Sequence, residues 1–158
     1  MEEKTITSVI NICQPEELSQ TEQELISMAI KATDNSYVPY SRFHVGCAVL
    51  LENSVKIVGC NQENASFPVT ICAERSALFA AGAQYPDTPV ACIAIAARNG
   101  DGLLAEPITP CGSCRQALVE TERRYGRKVR ILLYGTRHTY AIDGVGNLMP
   151  LSFTDEQM

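Results

Sequence analysis

The amino-acid sequence predicts an α/β fold: a three-layer α/β/α sandwich with helices on both faces of a mixed, mostly parallel sheet of about five strands. Three observations carry this expectation. Segments of helical apolar spacing alternate with β-rich runs in the order α-β-β-α-β-α-β. Two of the β runs, VACIAIAA (90–97) and VRILLYG (129–135), are apolar almost throughout, as strands covered on both faces are. The chain has 158 residues, 46% apolar and 20% charged, which suits one globular domain able to bury a real core. No repeat or linker divides it, so 1–158 is read as a single domain.

The elements follow in order. EELSQTEQELISMAIKATDNSY (16–37) places Leu25, Ile26, Ala29 and Ile30 at helical spacing, with Ser19 or Thr21 as the capping residue. FHVGCAVLLENSVKIVGCN (43–61) contains two β-rich runs meeting at Glu52-Asn53-Ser54, which predicts an antiparallel hairpin. ICAERSALFAAG (71–82) reads as a short buried helix that stops at Gly82. After the first apolar strand, CGSCRQALVETERRYG (111–126) restores helical spacing behind Pro110, and the second apolar strand is expected to lie parallel to the first. Residues 1–18 precede this frame as an N-terminal extension, in which ITSVINI reads as an extra edge strand.

Charge and cysteine usage narrow the function classes. The net charge is −5, and the basic residues are scattered apart from RRYGRKVR (123–130), which reads as a solvated helix end rather than a nucleic-acid patch. The N-terminal stretch is acidic and unlike a signal peptide, and no run approaches the roughly 20 apolar residues of a membrane span. A cytoplasmic protein is expected. Seven cysteines in a chain of this size point to metal binding or catalysis rather than a disulfide framework.

The strongest chemical signal is PCGSC (110–114). Cys111 and Cys114 stand three residues apart at a helix start, so both sulfurs can face one metal, and the helix N-terminus favours the thiolate. By itself the pair is equally compatible with a redox couple or with two unrelated buried thiols. Cys72 tips the balance toward zinc, because it too begins a helix, with one strand intervening. Neighbouring turns at the strand ends of a sheet can bring two helix N-termini together. Three thiolates leave a fourth zinc position open, which predicts catalysis rather than structure. Cys13, Cys47, Cys60 and Cys92 read as small apolar fillers, with Cys60 the alternative fourth ligand. Such a ligand would make the metal a purely structural scaffold.

The ICAER stretch then makes chemical sense. Arg75 returns to the face of Cys72 and can offset the surplus negative charge of three thiolates, whereas Glu74 points elsewhere and is poorly placed as a ligand. A carboxylate beside an open metal position suits proton transfer to and from water, and Glu74 is the candidate proton carrier.

ICAER followed by PCGSCRQ resembles the zinc nucleoside and nucleotide deaminases. With YVPYSRFHVG (37–46) and GCNQENASF (59–67), the chain is similar to the three-cysteine, homotetrameric cytidine deaminases over about Thr21 to Phe153. The resemblance implies a cytidine deaminase-like fold and hydrolytic deamination of cytidine and 2′-deoxycytidine in pyrimidine salvage. It implies one Zn2+ per subunit held by Cys72, Cys111 and Cys114, with Glu74 moving protons. It further implies that Asn61 and Glu63 bind the ribose hydroxyls, the Ala73 N–H meets the base carbonyl, Phe43 packs on the pyrimidine, and Thr109 offers its carbonyl to the exocyclic amine. Phe153, in LMPLSF (148–153), would reach a neighbouring subunit's pocket, so that sites are shared in a homotetramer. Glu63 and the lack of a basic cluster favour a nucleoside over a nucleotide, and no nucleic acid or membrane partner is expected. Departures are Cys47 in VGCAV and Phe67 where the family commonly has tyrosine. His44 and His138 lack zinc-ligand spacing, and Gly144-Val-Gly146 reads as a turn.

Overall fold

Helix α1 (Gln20–Ala32) begins with a reciprocal cap in the computed structural model, which describes residues 1–158. Ser19 Oγ accepts the Glu22 N–H at 3.3 Å, and the Glu22 carboxylate accepts the Ser19 N–H at 2.9 Å. The hairpin follows as β2 (His44–Leu51) and β3 (Lys56–Cys60), antiparallel, after a short N-terminal strand β1 (Asn11–Cys13). Helix α2 (Ala73–Gln84) leads into β4 (Val90–Asn99), and a tight turn gives the two-residue β5 (Gly102–Leu103). Helix α3 (Gly112–Tyr125) then precedes β6 (Arg130–Tyr134) and β7 (Thr139–Asp143).

The strands form one sheet in the order β1-β7-β6-β4-β2-β3, with β5 added to β4. Two details differ from the sequence expectation. The sheet has seven strands, because β5 is only two residues long and β7, TYAID, has polar residues at both ends and so no continuous apolar run. Nor is it mostly parallel: β4 and β6 are the one parallel pair, as expected of those two strands, and every other pairing is antiparallel. The cause is connection length, since the tight links β2–β3, β4–β5 and β6–β7 can only reverse the chain. Helix α2 likewise ends elsewhere than predicted. Gly82 lies within it and has no positive φ, while buried Ala77, Leu78 and Ala81 hold the helix to the sheet through Gln84. Gly126, with φ of 62°, is the glycine that does stop a helix, α3.

Alternation along the strands assigns the layers. Ile93, Ile95 and Ala97 of β4, with Val45, Cys47 and Val49 of β2, face α2 and α3. Their neighbours Cys92, Ala94, Ala96 and Ala48 face α1. This second face is built of small residues, so α1 sits close to the backbone. The closest approach is at Gly46, where an added Cβ would lie 2.0 Å from the Ala29 carbonyl oxygen. Gly59 does the same for α2: a Cβ there would meet the Ala77 nitrogen at 2.6 Å and the Ala73 oxygen at 2.7 Å. The start of α2 is thereby pressed onto the end of β3, where Asn61 and Glu63 follow.

Candidate metal and catalytic site

Cys72 and Cys111 are the N-cap residues of α2 and α3, both in extended backbone and neither making a side-chain cap bond. Two helix N-termini therefore present unpaired N–H groups and positive dipole ends around these sulfurs. The Cys72 and Cys111 sulfurs are 3.7 Å apart, those of Cys111 and Cys114 3.5 Å, and all three lie within 4.8 Å of one another. Thiolates bound tetrahedrally to one zinc at about 2.3 Å stand roughly 3.8 Å apart, so the cluster has the dimensions of a zinc site. The group that could hold a metal consists of these three side chains. Cys60 is outside it, its sulfur taking a hydrogen bond from Gln62 Nε2 at 3.2 Å, so a fourth protein ligand is not supplied. Contact with the Cys114 thiol, helped by Arg75 and Cys111, pulls the Cys72 thiol down to about 5 despite its burial. Arg75 Nη2 lies 3.7 Å from the Cys72 sulfur, where the sequence places it.

Glu74 is 4% exposed, at the foot of the cluster. Burial raises its pKa above the ordinary carboxylate value, and the neighbouring Cys72 adds to the rise. Its charge is also felt by the buried Cys47, whose thiol is pushed up chiefly by burial. A carboxyl so placed is suited to hold and release a proton.

The second part of the site is the loop before β2. Asn61 Oδ1 accepts the Val45 N–H at 2.9 Å, and its Nδ2 donates to the Phe43 carbonyl at 2.9 Å. Glu63 Oε2 accepts the N–H groups of Tyr40 at 2.9 Å and Ser41 at 3.2 Å. Hydrogen bonds from Ser41 and from the Tyr40 backbone hold the Glu63 carboxyl below its usual range. These two side chains thus cradle the Tyr40–Val45 segment, in which Arg42 takes a left-handed φ of 56°. Each keeps capacity for a ligand: Glu63 through Oε1, Asn61 through its second Nδ2 hydrogen. Phe43 is half-buried beside the core that contains Ala73. Thr109, one residue before Pro110, has a carbonyl that takes no backbone hydrogen bond. Phe153 is 60% exposed and distant in sequence from the rest. His44 bonds Ser36 Oγ through Nδ1 at 2.6 Å and is no part of the thiol cluster.

Residues 19–128 match the family model described as the cytidine and deoxycytidylate deaminase zinc-binding region. The chain belongs to this family. A cytidine deaminase of Halalkalibacterium halodurans is 38% identical over 136 residues, covering 86% of this chain and 96% of that protein. The crystal structure of a cytidine deaminase from Burkholderia pseudomallei superposes with a TM-score of 0.72 at 33% identity, covering 86% of this chain and 100% of that one. A Mycobacterium tuberculosis cytidine deaminase structure gives a TM-score of 0.65 at 29% identity over 84% of this chain and 97% of that one. The deaminase family's zinc-binding region spans all three clustered thiols, and the cluster fits one Zn2+ per subunit.

Two residues near the site carry contacts that the sequence reading left unassigned. Arg115 and Gln116 directly follow the third thiol, and both reach across to other segments. Their position in PCGSCRQ was the available signal; the partners they bond are far away in sequence.

Proposed function

We infer that this chain is a zinc-dependent cytidine deaminase, hydrolysing cytidine and 2′-deoxycytidine to the corresponding uridines and ammonia in pyrimidine salvage. The observation that carries the reading is three thiols on two helix N-termini with an acidic, buried Glu74 beside them. Cys72, Cys111 and Cys114 hold the zinc. When bound, it supplies a Lewis acid that brings the pKa of water toward about 7. Glu74 takes a proton from the attacking water and passes it to ring N3 as the oxygen bonds C4. It then takes the remaining proton from the new C4 hydroxyl and delivers it to the departing amino group, so the C4 carbonyl forms, the C4–N4 bond breaks and ammonia leaves. The Ala73 N–H, one of the free donors of the first helical turn, holds the base carbonyl. The Thr109 carbonyl receives the exocyclic amine, Phe43 packs on the ring, and Arg75 balances the thiolate charge. Asn61 and Glu63 take the ribose hydroxyls with the capacity the loop leaves them.

The same reading favours a nucleoside over a polynucleotide. Arg123 pairs with Asp155 and Glu156, Arg127 with Glu52, and Arg130 with Glu22 and Asp143, so the basic run is largely spent on its own chain. Exposed Phe67, Val69, Phe79, Leu151 and Phe153 support assembly into a homotetramer in which Phe153 enters a partner's pocket. Seven free cysteines are in keeping with the reducing cytoplasm, and no helix is long and apolar enough to cross a membrane.

The test is ultraviolet assay of cytidine conversion before and after chelation. Purified zinc-loaded protein is expected to form uridine, to lose nearly all activity with its metal, and to regain it on adding zinc. A zinc-loaded sample that converts neither cytidine nor deoxycytidine would overturn the reading.

A further inference from the structure

The first turns of α3 do more than hold metal. Cys114 is followed by Arg115, whose guanidinium donates in three directions: Nε to the Pro110 carbonyl at 2.8 Å, Nη1 to the Leu148 carbonyl at 2.7 Å, and Nη2 to Thr109 Oγ1 at 3.2 Å. The next residue, Gln116, donates from Nε2 to the Phe153 carbonyl at 2.9 Å. Seven residues on, and so on the same helix face, Arg123 holds Asp155 and Glu156. The C-terminal segment is therefore laid along α3 by successive side chains of that helix. Leu148 is buried, whereas Pro150, Leu151 and Phe153 are exposed, so this stretch has little packing of its own to fix it.

We propose that Arg115 and Gln116 are positioning residues of the deamination site, with separate loads. Arg115 fixes the Thr109–Pro110 segment, which bears the carbonyl directed at the exocyclic amine, and anchors the C-terminal segment at Leu148. Gln116 fixes the backbone at Phe153, and so sets where that ring projects. The planar fork of arginine matches three oxygens at once, which the single ammonium of lysine cannot do. The metal, the amine acceptor and the aromatic of the tail are thus registered to one rigid helical element. This rests on the deaminase reading above, including the role given there to Phe153.

A double-mutant cycle in the full-length, zinc-loaded protein tests it. Gln116→Ala is expected to raise KM for cytidine about fivefold with kcat, zinc content and melting temperature nearly unchanged. Phe153→Ala is expected to raise KM at least as much, and the double variant to match Phe153→Ala alone, because Gln116 acts only through that ring's position. Arg115→Lys is expected to lower kcat as well, about tenfold, at full zinc content, since it also frees Thr109. An unchanged KM in Gln116→Ala, or effects of Gln116 and Phe153 that multiply, would overturn the proposal. Hydrogen exchange of residues 150–154 tests the same contact without turnover: Gln116→Ala should speed it several-fold, and unaltered exchange counts against the proposal even if cytidine proves not to be the substrate.

Discussion

Glu74→Gln is expected to reduce cytidine turnover by about 10²- to 10⁴-fold while leaving the zinc content as in the wild type. In the proposed mechanism, holding the metal and moving the proton fall to different residues. Metal retention depends on the three sulfurs, and Glu74 lies outside that cluster. Packing is also preserved, because glutamine has the shape of the glutamate it replaces in a site only 4% exposed. What disappears is a group that can accept a proton and return it. Burial holds the Glu74 carboxyl above its ordinary pKa, which brings it nearer to the working pH of such an exchange. Metal analysis and an ultraviolet assay on the same sample decide the matter. Full zinc with full turnover would mean that another group carries the proton.

Gly46→Ala is expected to be the most damaging single methyl in the chain. The new Cβ would stand 2.0 Å from the Ala29 oxygen, 2.7 Å from the Thr33 nitrogen and 3.0 Å from the Ala32 carbonyl carbon. All three are backbone atoms at the end of α1, so no side chain can rotate away and the helix itself must lift. Lifting it also opens the contact over Ala48, Ala94 and Ala96, whose small size exists to admit it. The cost is on the order of 3 kcal/mol, a fall in melting temperature of roughly 10 °C for a chain of this length. Gly100→Ala is the control, because nothing lies within 4 Å of a Cβ there. Equal melting temperatures for the two variants would refute the close-packing account.

Local chemistry made much of this structure readable in the sequence. Ser19, one of the two capping residues the sequence offers, and the apolar runs that became β4 and β6 are signals carried by adjacent residues. The i, i+3 cysteine pair is of the same kind, as is the placing of Arg75 beside Cys72. Several features that depend on which segments become neighbours were not readable. Strand β4 lies antiparallel to β2, not beside β3, because α2 carries the chain past β2 before it rejoins the sheet. The extent of α2 beyond Gly82 is decided by the core under Ala77 and Ala81. That Asn61 and Glu63 also brace the Tyr40–Val45 loop is likewise a matter of contact rather than pattern. The partners of Arg115 at Leu148 and of Gln116 at Phe153 belong to the same class.

Strand β1 has a consequence for colloidal behaviour. Its three residues lie against Thr139–Ala141 of β7, with the Val9 N–H tied to Asn147 Oδ1 just beyond. Take them away and β7 offers an unpaired row of amides and carbonyls, a template onto which another molecule's strand can add. The clustered thiols belong to the starts of α2 and α3, and none of them lies on β1 or β7. A chain lacking residues 1–13 is therefore expected to keep its turnover per soluble molecule yet scatter more light as concentration rises. The role expected of those few N-terminal residues is thus to keep folded molecules apart.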